Sequence, residues 1–406
     1  MSVLYFGIIL LLGYILSVFV EKLGFPKIVG YLTAGLLLNP EVVNFIPSEF
    51  IALTKPVTSF CLAFITFEIG SSFSLKDLRA TGKKYFNLAF FESFSAFVLL
   101  FIIFFIISTY FLPFTIGGVS VSVAFSLLLA SLGAPTDPSA TLAVIHEYKA
   151  KGPVTRAVLG AAAFDDIITL ILFSFSMSVS HALLGGQETS FFHVSYIILY
   201  KILGAVITGI VFGFIFNKLT SIFKVNEKRS LMILFFGFLS VTFGLAIWLK
   251  FDELFSTLTL GFVIRNFNKS EKKILSITEH ALEDLFFLIF FVFSALHFSF
   301  KSVSFQLFIL ISIFILVRMT GKYLGMRSGS HILKMSKNVK KYAFGGLIPQ
   351  GGIVLGLSLM IVNEPEFKDF SNLLAGIIMG ATIIHEFIGP FISKSILKKV
   401  NELNKK

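Results

Sequence analysis

Gly160-Ala161-Ala162-Ala163-Phe164-Asp165-Asp166-Ile167-Ile168-Thr169-Leu170 sets two adjacent carboxylates inside an apolar run long enough to span a bilayer. On insertion scales a central aspartate costs about 2.5–3.5 kcal/mol, so the pair costs roughly 5–7 kcal/mol before any partner is counted. A helix that carries this burden has work for the carboxylates, and the passage of a cation, a proton or both is the work that fits. The plainer alternative, a helix-end pair in water, is opposed by the apolar sequence on both sides. Adjacent residues leave a helix about 100° apart, so Asp165 and Asp166 do not share one site symmetrically. One can face a binding site while the other faces a neighbouring helix.

Working outward, the chain has 406 residues, of which 56% are hydrophobic and 14% charged. Soluble domains carry about 25% charged residues. The composition describes an all-α polytopic membrane protein. A formal net charge of +11 would suit a nucleic-acid partner, but the cations concentrate on one side of the membrane, so no such partner is expected. The one cysteine, Cys61, excludes an internal disulfide framework. Val3 to Val20 lacks a cationic leader and a small-residue cleavage site, so it reads as a retained first helix.

Segments of spanning length fall near 3–20, 28–46, 51–70, 85–111, 117–147, 154–180, 192–217, 230–249, 253–268, 280–298, 303–326, 342–362 and 369–397, about 13 in all. The loops after odd-numbered segments, with the tail, hold 27 of the 34 Lys and Arg residues. The opposite loops hold Lys250, Lys301 and Lys368. This asymmetry places the amino terminus outside and the carboxyl terminus in the cytoplasm, in the cytoplasmic membrane. No soluble regulatory domain is expected after the last span, and no GxGxxG follows a strand.

Two segments are interrupted. Segment five reads Ser131-Leu132-Gly133-Ala134-Pro135-Thr136-Asp137-Pro138-Ser139, and segment twelve reads Gly345-Gly346-Leu347-Ile348-Pro349-Gln350-Gly351-Gly352. Proline removes a backbone donor from a helix, so each stretch predicts an unwound crossing between half-helices. Either alone could be an ordinary kink or an interhelix turn. The two are seven segments apart and therefore run in opposite directions, the pattern of an inverted-repeat transporter with its binding site at the breaks.

The candidate ion and proton ligands are Asp165 and Asp166, with Thr136 beside them offering a hydroxyl to Na⁺ or Li⁺. Asp137 either binds the ion or caps a half-helix, and the cap is the favoured reading. Lys322 is the natural counter-ion, unless it snorkels to the interface. Arg318, one turn deeper on the same face, competes for the role. Glu68 and Glu92 are further acids in apolar runs. Glu68, at a segment end, suits an interfacial or gating role. His385 and Glu386 read as structural. Neither HExxH nor GxSxG occurs, and no enzyme is expected.

These residues resemble those of the monovalent cation:proton antiporters, in particular the NapA/NhaA-like Asp-Asp branch. The resemblance covers essentially the whole chain. It rests on Leu159-Gly160-Ala161-Ala162-Ala163-Phe164-Asp165-Asp166 above all. Gly30-Tyr31-Leu32-Thr33-Ala34-Gly35-Leu36-Leu37-Leu38-Asn39-Pro40, Phe67-Glu68-Ile69-Gly70, Phe290-Phe291-Val292 and Gly321-Lys322-Tyr323-Leu324-Gly325 support it together.

The resemblance implies an NhaA-like fold with crossed broken helices. It implies a core of helices at about 85–180 and 280–397, and a dimerisation scaffold mainly at about 1–70 and 192–268. It implies Asp166 as the principal carrier, Asp165 exchanging a salt bridge with Lys322 for the ion, and a homodimer. No cofactor is implied; Na⁺ or Li⁺ and H⁺ are cargo. Three features depart from the pattern. Thr136-Asp137-Pro138 looks more like the electroneutral NhaP-type branch, Pro349-Gln350-Gly351-Gly352 carries no charge where NapA-like proteins have Pro-Arg-Gly-Glu, and Arg318 is an additional cation near Lys322.

The expected function is therefore sodium(lithium)/proton antiport by alternating access. A potassium/proton antiporter and an electroneutral exchanger are the alternatives. An intramembrane aspartyl protease needs aspartates on separate helices, and a channel needs a filter or charged ring; both are remote.

Overall fold

The computed structural model describes residues 2–23, 27–43, 45–72, 74–77, 82–112, 118–136, 141, 144–145, 150–185, 191–223, 228–268, 274, 282–296, 304–350 and 353–403. Among them the regular structure is helical, with no strand. The all-α expectation therefore holds. Of the site residues named above, Asp137, Pro138 and Gly351 lie outside the described residues.

In chain order the main helices are α1 (Ser2–Lys22), α2 (Lys27–Leu37), α3 (Ser48–Leu53), α4 (Lys55–Ser72), α5 (Lys83–Tyr110), α6 (Gly118–Leu132) and α7 (Pro153–Leu184). They continue with α8 (Phe191–Ile222), α9 (Lys228–Trp248), α10 (Glu253–Phe267), α11 (Glu283–Leu296), α12 (Phe305–Ile332), α13 (Lys337–Tyr342), α14 (Ile353–Asn363) and α15 (Ser371–Lys399). Among the described residues, 7 helices are long and apolar enough to cross a membrane. Shorter apolar helices, among them α2, α6, α11 and α14, accompany them.

The chain divides into two compact units, one of Met1–Pro47, Gly82–Glu188 and Ser294–Lys406, the other of Ser48–Thr81 and Thr189–Phe293. Met1–Pro47 packs within the first unit, and most of α11 within the second. One cause is visible at Asn39, just past α2. Its amide donates to the carbonyls of Ala295 (3.3 Å) and Leu296 (3.1 Å). Gly30 lets α1 and α2 meet backbone to backbone, because a Cβ there would collide with Ser17.

In the second unit, α10 is the least apolar of the expected spans, and the structure gives the reason. Ser256, Thr257, Thr259 and Gly261 are buried on it. The Thr257 and Thr66 hydroxyls lie 2.6 Å apart. Gly261 and Gly70 admit the α4 and α10 backbones to each other without a Cβ between them. Close approach through small and hydroxyl residues holds helices together where lipid removes the hydrophobic drive. Asp252 caps α10 by accepting from the Phe255 N–H at 2.8 Å.

In the first unit the aspartate-bearing helix α7 starts at Gly152-Pro153, with no side-chain cap of its own. Its free amides are met by Glu402, from beyond α15. The Glu402 carboxylate accepts from the N–H groups of Val154 and Thr155, both at 2.8 Å, and from the Thr155 hydroxyl at 2.7 Å. Lys151 donates its N–H to the Glu402 carbonyl at 3.0 Å. A carboxylate at a helix N-terminus satisfies orphan donors and complements the helix dipole. Glu402→Ala should therefore destabilise the detergent-solubilised protein by about 1–2 kcal/mol. Thermal unfolding followed by size-exclusion chromatography checks this, and Glu402→Gln should recover part of the loss.

Candidate functional site in the first unit

Three helices bring charge to one buried point. Helix α5 presents Glu92 and Ser93, α7 presents Asp165, and α12 presents Arg318 and Lys322. Each of these five side chains is at most 0% exposed. Between them lie the unwound ends of the two interrupted segments, residues 133–136 after α6 and 348–350 before α14, the latter preceded by a 3-10 helix at Ala343–Leu347.

Lys322 is the hub. Its ammonium donates to Glu92 Oε1, to the Ala134 carbonyl at 2.8 Å and to Thr136 Oγ1 at 2.8 Å. It lies 3.8 Å from Asp165 Oδ2, within ion-pair range but without a hydrogen bond. Ser93 links the two acids: its hydroxyl lies 2.6 Å from Asp165 Oδ1 and 3.2 Å from Glu92 Oε2. Lys322 does not snorkel. Its three donors are all engaged, so the desolvation that makes a buried ammonium costly is offset by direct partners.

Arg318 has a different task. Its Nε donates to the Gly133 carbonyl at 2.9 Å, Nη1 to Ile348 at 2.6 Å, and Nη2 to Pro135 at 2.6 Å and Pro349 at 3.5 Å. The guanidinium thus pins both breaks, binding carbonyls in the stretches where the chain has left the helical hydrogen-bond pattern. Gln350 adds a second tie, donating to the Leu132 carbonyl at 2.8 Å and accepting from His385 Nδ1 at 2.9 Å. Thr136 and Thr141 donate to the carbonyls of Leu347 (3.2 Å) and Gly346 (2.8 Å). A positive charge beside the C-terminal carbonyls of α6 is also favoured by the helix dipole.

An ammonium has no rigid fork with which to span four carbonyls on two segments. Arg318→Lys should therefore cost about 2–3 kcal/mol of stability, the loss of charge-assisted hydrogen bonds in a buried setting. Thermal unfolding of the purified variant checks this.

The structure positions the expected residues as follows. Asp165 is fully buried in the cluster, and Asp166, next along α7, is half-buried. Thr136 bridges Lys322 and the second break. Pro135, Pro349 and Gln350 sit at the crossing. Glu68 is half-buried on α4, in the other compact unit. Lys322, and not Arg318, is the cation that pairs with carboxylates among the described residues. Its hydrogen-bonded acid is Glu92, a residue to which the sequence reading gave no role. The signal was a lone glutamate in the apolar stretch Phe90-Phe91-Glu92-Ser93-Phe94, and an intramembrane acid is a functional candidate by default.

A sequence model of a family described as "Sodium/hydrogen exchanger, transmembrane" matches residues 7–395. A protein of Bacillus cereus, "Probable Na(+)/H(+) antiporter GerT", is 25% identical in an alignment of 370 residues that covers 85% of this chain and 88% of that protein. Among solved structures, the sodium proton antiporter MjNhaP1 from Methanocaldococcus jannaschii at pH 8 matches with a TM-score of 0.75 and 19% identity, covering 98% of both chains. An electron-microscopy structure of the same antiporter matches at 0.74 with 20% identity, covering 100% of this chain and 99% of that one. At these identities the structural likeness is one of fold.

Proposed function

Because the chain belongs to the sodium/hydrogen exchanger family, we propose that it is a secondary antiporter in which Na⁺ or Li⁺ and protons compete for the aspartate pair by alternating access. Family membership makes it a multi-pass membrane transporter and not an enzyme. One observation carries the finer reading. Asp165 Oδ2 is buried, accepts no hydrogen bond, and stands 3.8 Å from the Lys322 ammonium. A buried carboxylate oxygen in that position is one that a proton or a small cation can claim.

Asp166 is the entry ligand in this account. It is the more exposed of the pair, and its charge lies at membrane depth. Thr136 supplies a neutral oxygen beside the pair, and Arg318 and Gln350 keep the breaks in register. Glu68, far along its own helix, keeps the gating role given to it. The excess of Lys and Arg in alternate loops supports an outside amino terminus and a cytoplasmic carboxyl terminus in the cell membrane. A homodimer follows from the resemblance alone.

An electroneutral cycle is the second reading, and Glu92 favours it. With Glu92 hydrogen-bonded to Lys322, the ammonium keeps a partner when Asp165 takes the cation. Lys322 then need not lose its proton, and one H⁺ exchanges for one Na⁺. If two protons exchange instead, each cycle moves one net charge, worth about 2.3 kcal/mol per 100 mV.

Acid-loaded proteoliposomes decide between the readings. Lumenal pH is followed after external Na⁺, Li⁺ or K⁺, with the membrane potential clamped and then free. Alkalinisation by Na⁺ and Li⁺ supports the assignment, and dependence on the clamp separates the electrogenic from the electroneutral cycle. A response to K⁺ alone would move the protein to potassium exchange. No response to any of the three would remove the reading.

A further inference from the structure

Where α12 turns back into α13, a cavity of about 660 Å³ is lined by Arg327, His331, Lys337, Lys340 and Lys341, with Tyr323 at its wall. We propose that this cavity binds the headgroup of an anionic phospholipid.

No Asp or Glu occurs between Asp284 and Glu364. Among the described residues none of the four lining Lys and Arg side chains forms an ion pair. The fold nevertheless gathers them. Lys334 takes a left-handed φ of 51°, and Ser336 caps α13 by accepting from Val339 at 3.4 Å, so the chain reverses within a few residues. Lys340 Nζ is drawn to 3.4 Å from His331 Nδ1. Arg327 donates to the Tyr323 hydroxyl at 2.7 Å, with its guanidinium 5.8 Å from that ring's centre. Like charges held together without an acid repel, and an anion among them relieves that repulsion.

An apolar track beside the cations distinguishes lipid from a soluble anion. The cavity lies at the end of an exposed apolar stripe on α12. Phe305 is 81% exposed, Phe308 59%, Leu316 65% and Leu324 49%, at spacings of three and eight residues along the exposed side of the helix. That stripe offers a track for acyl chains and leads directly to the cations. Leu324 itself lines the cavity. A basic pocket at the end of a transmembrane helix is the setting in which anionic headgroups bind.

The test is native mass spectrometry of the full-length protein in detergent, titrated with phosphatidylglycerol or phosphatidylcholine. The triple variant Arg327→Gln, Lys340→Gln, Lys341→Gln should retain phosphatidylglycerol about 100-fold less well, each cation contributing about fivefold near an anionic surface. Its retention of phosphatidylcholine should not change. A control with Lys22→Gln, Lys398→Gln and Lys399→Gln should behave as the wild type, and millimolar inorganic phosphate should not displace the lipid. Equal retention by the triple variant overturns the proposal, and so does equal loss in the control. Displacement by phosphate would make the cavity a soluble-anion site and overturn it too. If the triple variant loses neutral lipid as well, it has unfolded, and the pair Lys340→Gln, Lys341→Gln carries the same comparison.

Discussion

Asp166→Asn should lower sodium-driven proton exchange in proteoliposomes at least about 100-fold, since losing a charged ligand costs about 3 kcal/mol or more. Asp165→Asn should do less harm, and the geometry says why. Asp165 is one of two acids near Lys322, and Glu92 makes the hydrogen bond. Removing the Asp165 charge leaves the ammonium with a carboxylate partner, and Ser93 still finds an amide oxygen at that position. Removing the Asp166 charge takes away the half-buried ligand that meets the incoming ion in this account. Initial rates of alkalinisation, compared at equal protein per vesicle, test the order. If Asp165→Asn is the more damaging of the two, the roles are reversed and Glu92 does not serve as the standing partner.

Lys322→Met should destabilise the protein by about 3–5 kcal/mol, because it strands buried carboxylates without a counter-charge. The loss should be partly recovered in Lys322→Met with Glu92→Gln, which removes the stranded charge along with its partner. Glu92→Gln alone should be milder, since Asp165 remains within ion-pair range of the ammonium. A double-mutant cycle on thermal unfolding isolates this coupling. Additive effects of the two changes would mean that the contact between Lys322 and Glu92 contributes nothing to the folded state.

Much of this was legible in the sequence. Thirteen apolar segments with one-sided loop charge gave the class. Pro135 and Pro349 marked the breaks because proline cannot supply the amide that a continuing helix needs. The aspartate pair marked the candidate site because charge at membrane depth demands a reason. What the sequence left open depended on contacts far apart in the chain. Arg318 and Lys322 share a helix face, and spacing alone cannot tell the one that grips carbonyls from the one that pairs with acids. Glu92 is 230 residues from Lys322, so no local pattern joins them. Glu402 caps a helix by accepting from the Val154 N–H, 248 residues earlier. Gln350 looked only like an absent charge, and it proved to tie α6 to α15 through Leu132 and His385.

Competition between cation and proton at Asp166 is the central claim, and calorimetry reads it most directly. Na⁺ is titrated into the purified protein in two buffers of different ionisation enthalpy at one pH. The difference in apparent heat counts the protons released for each ion bound. The account predicts proton release on Na⁺ binding to the wild type and none with Asp166→Asn. Sodium binding to the wild type with equal heats in both buffers would contradict it.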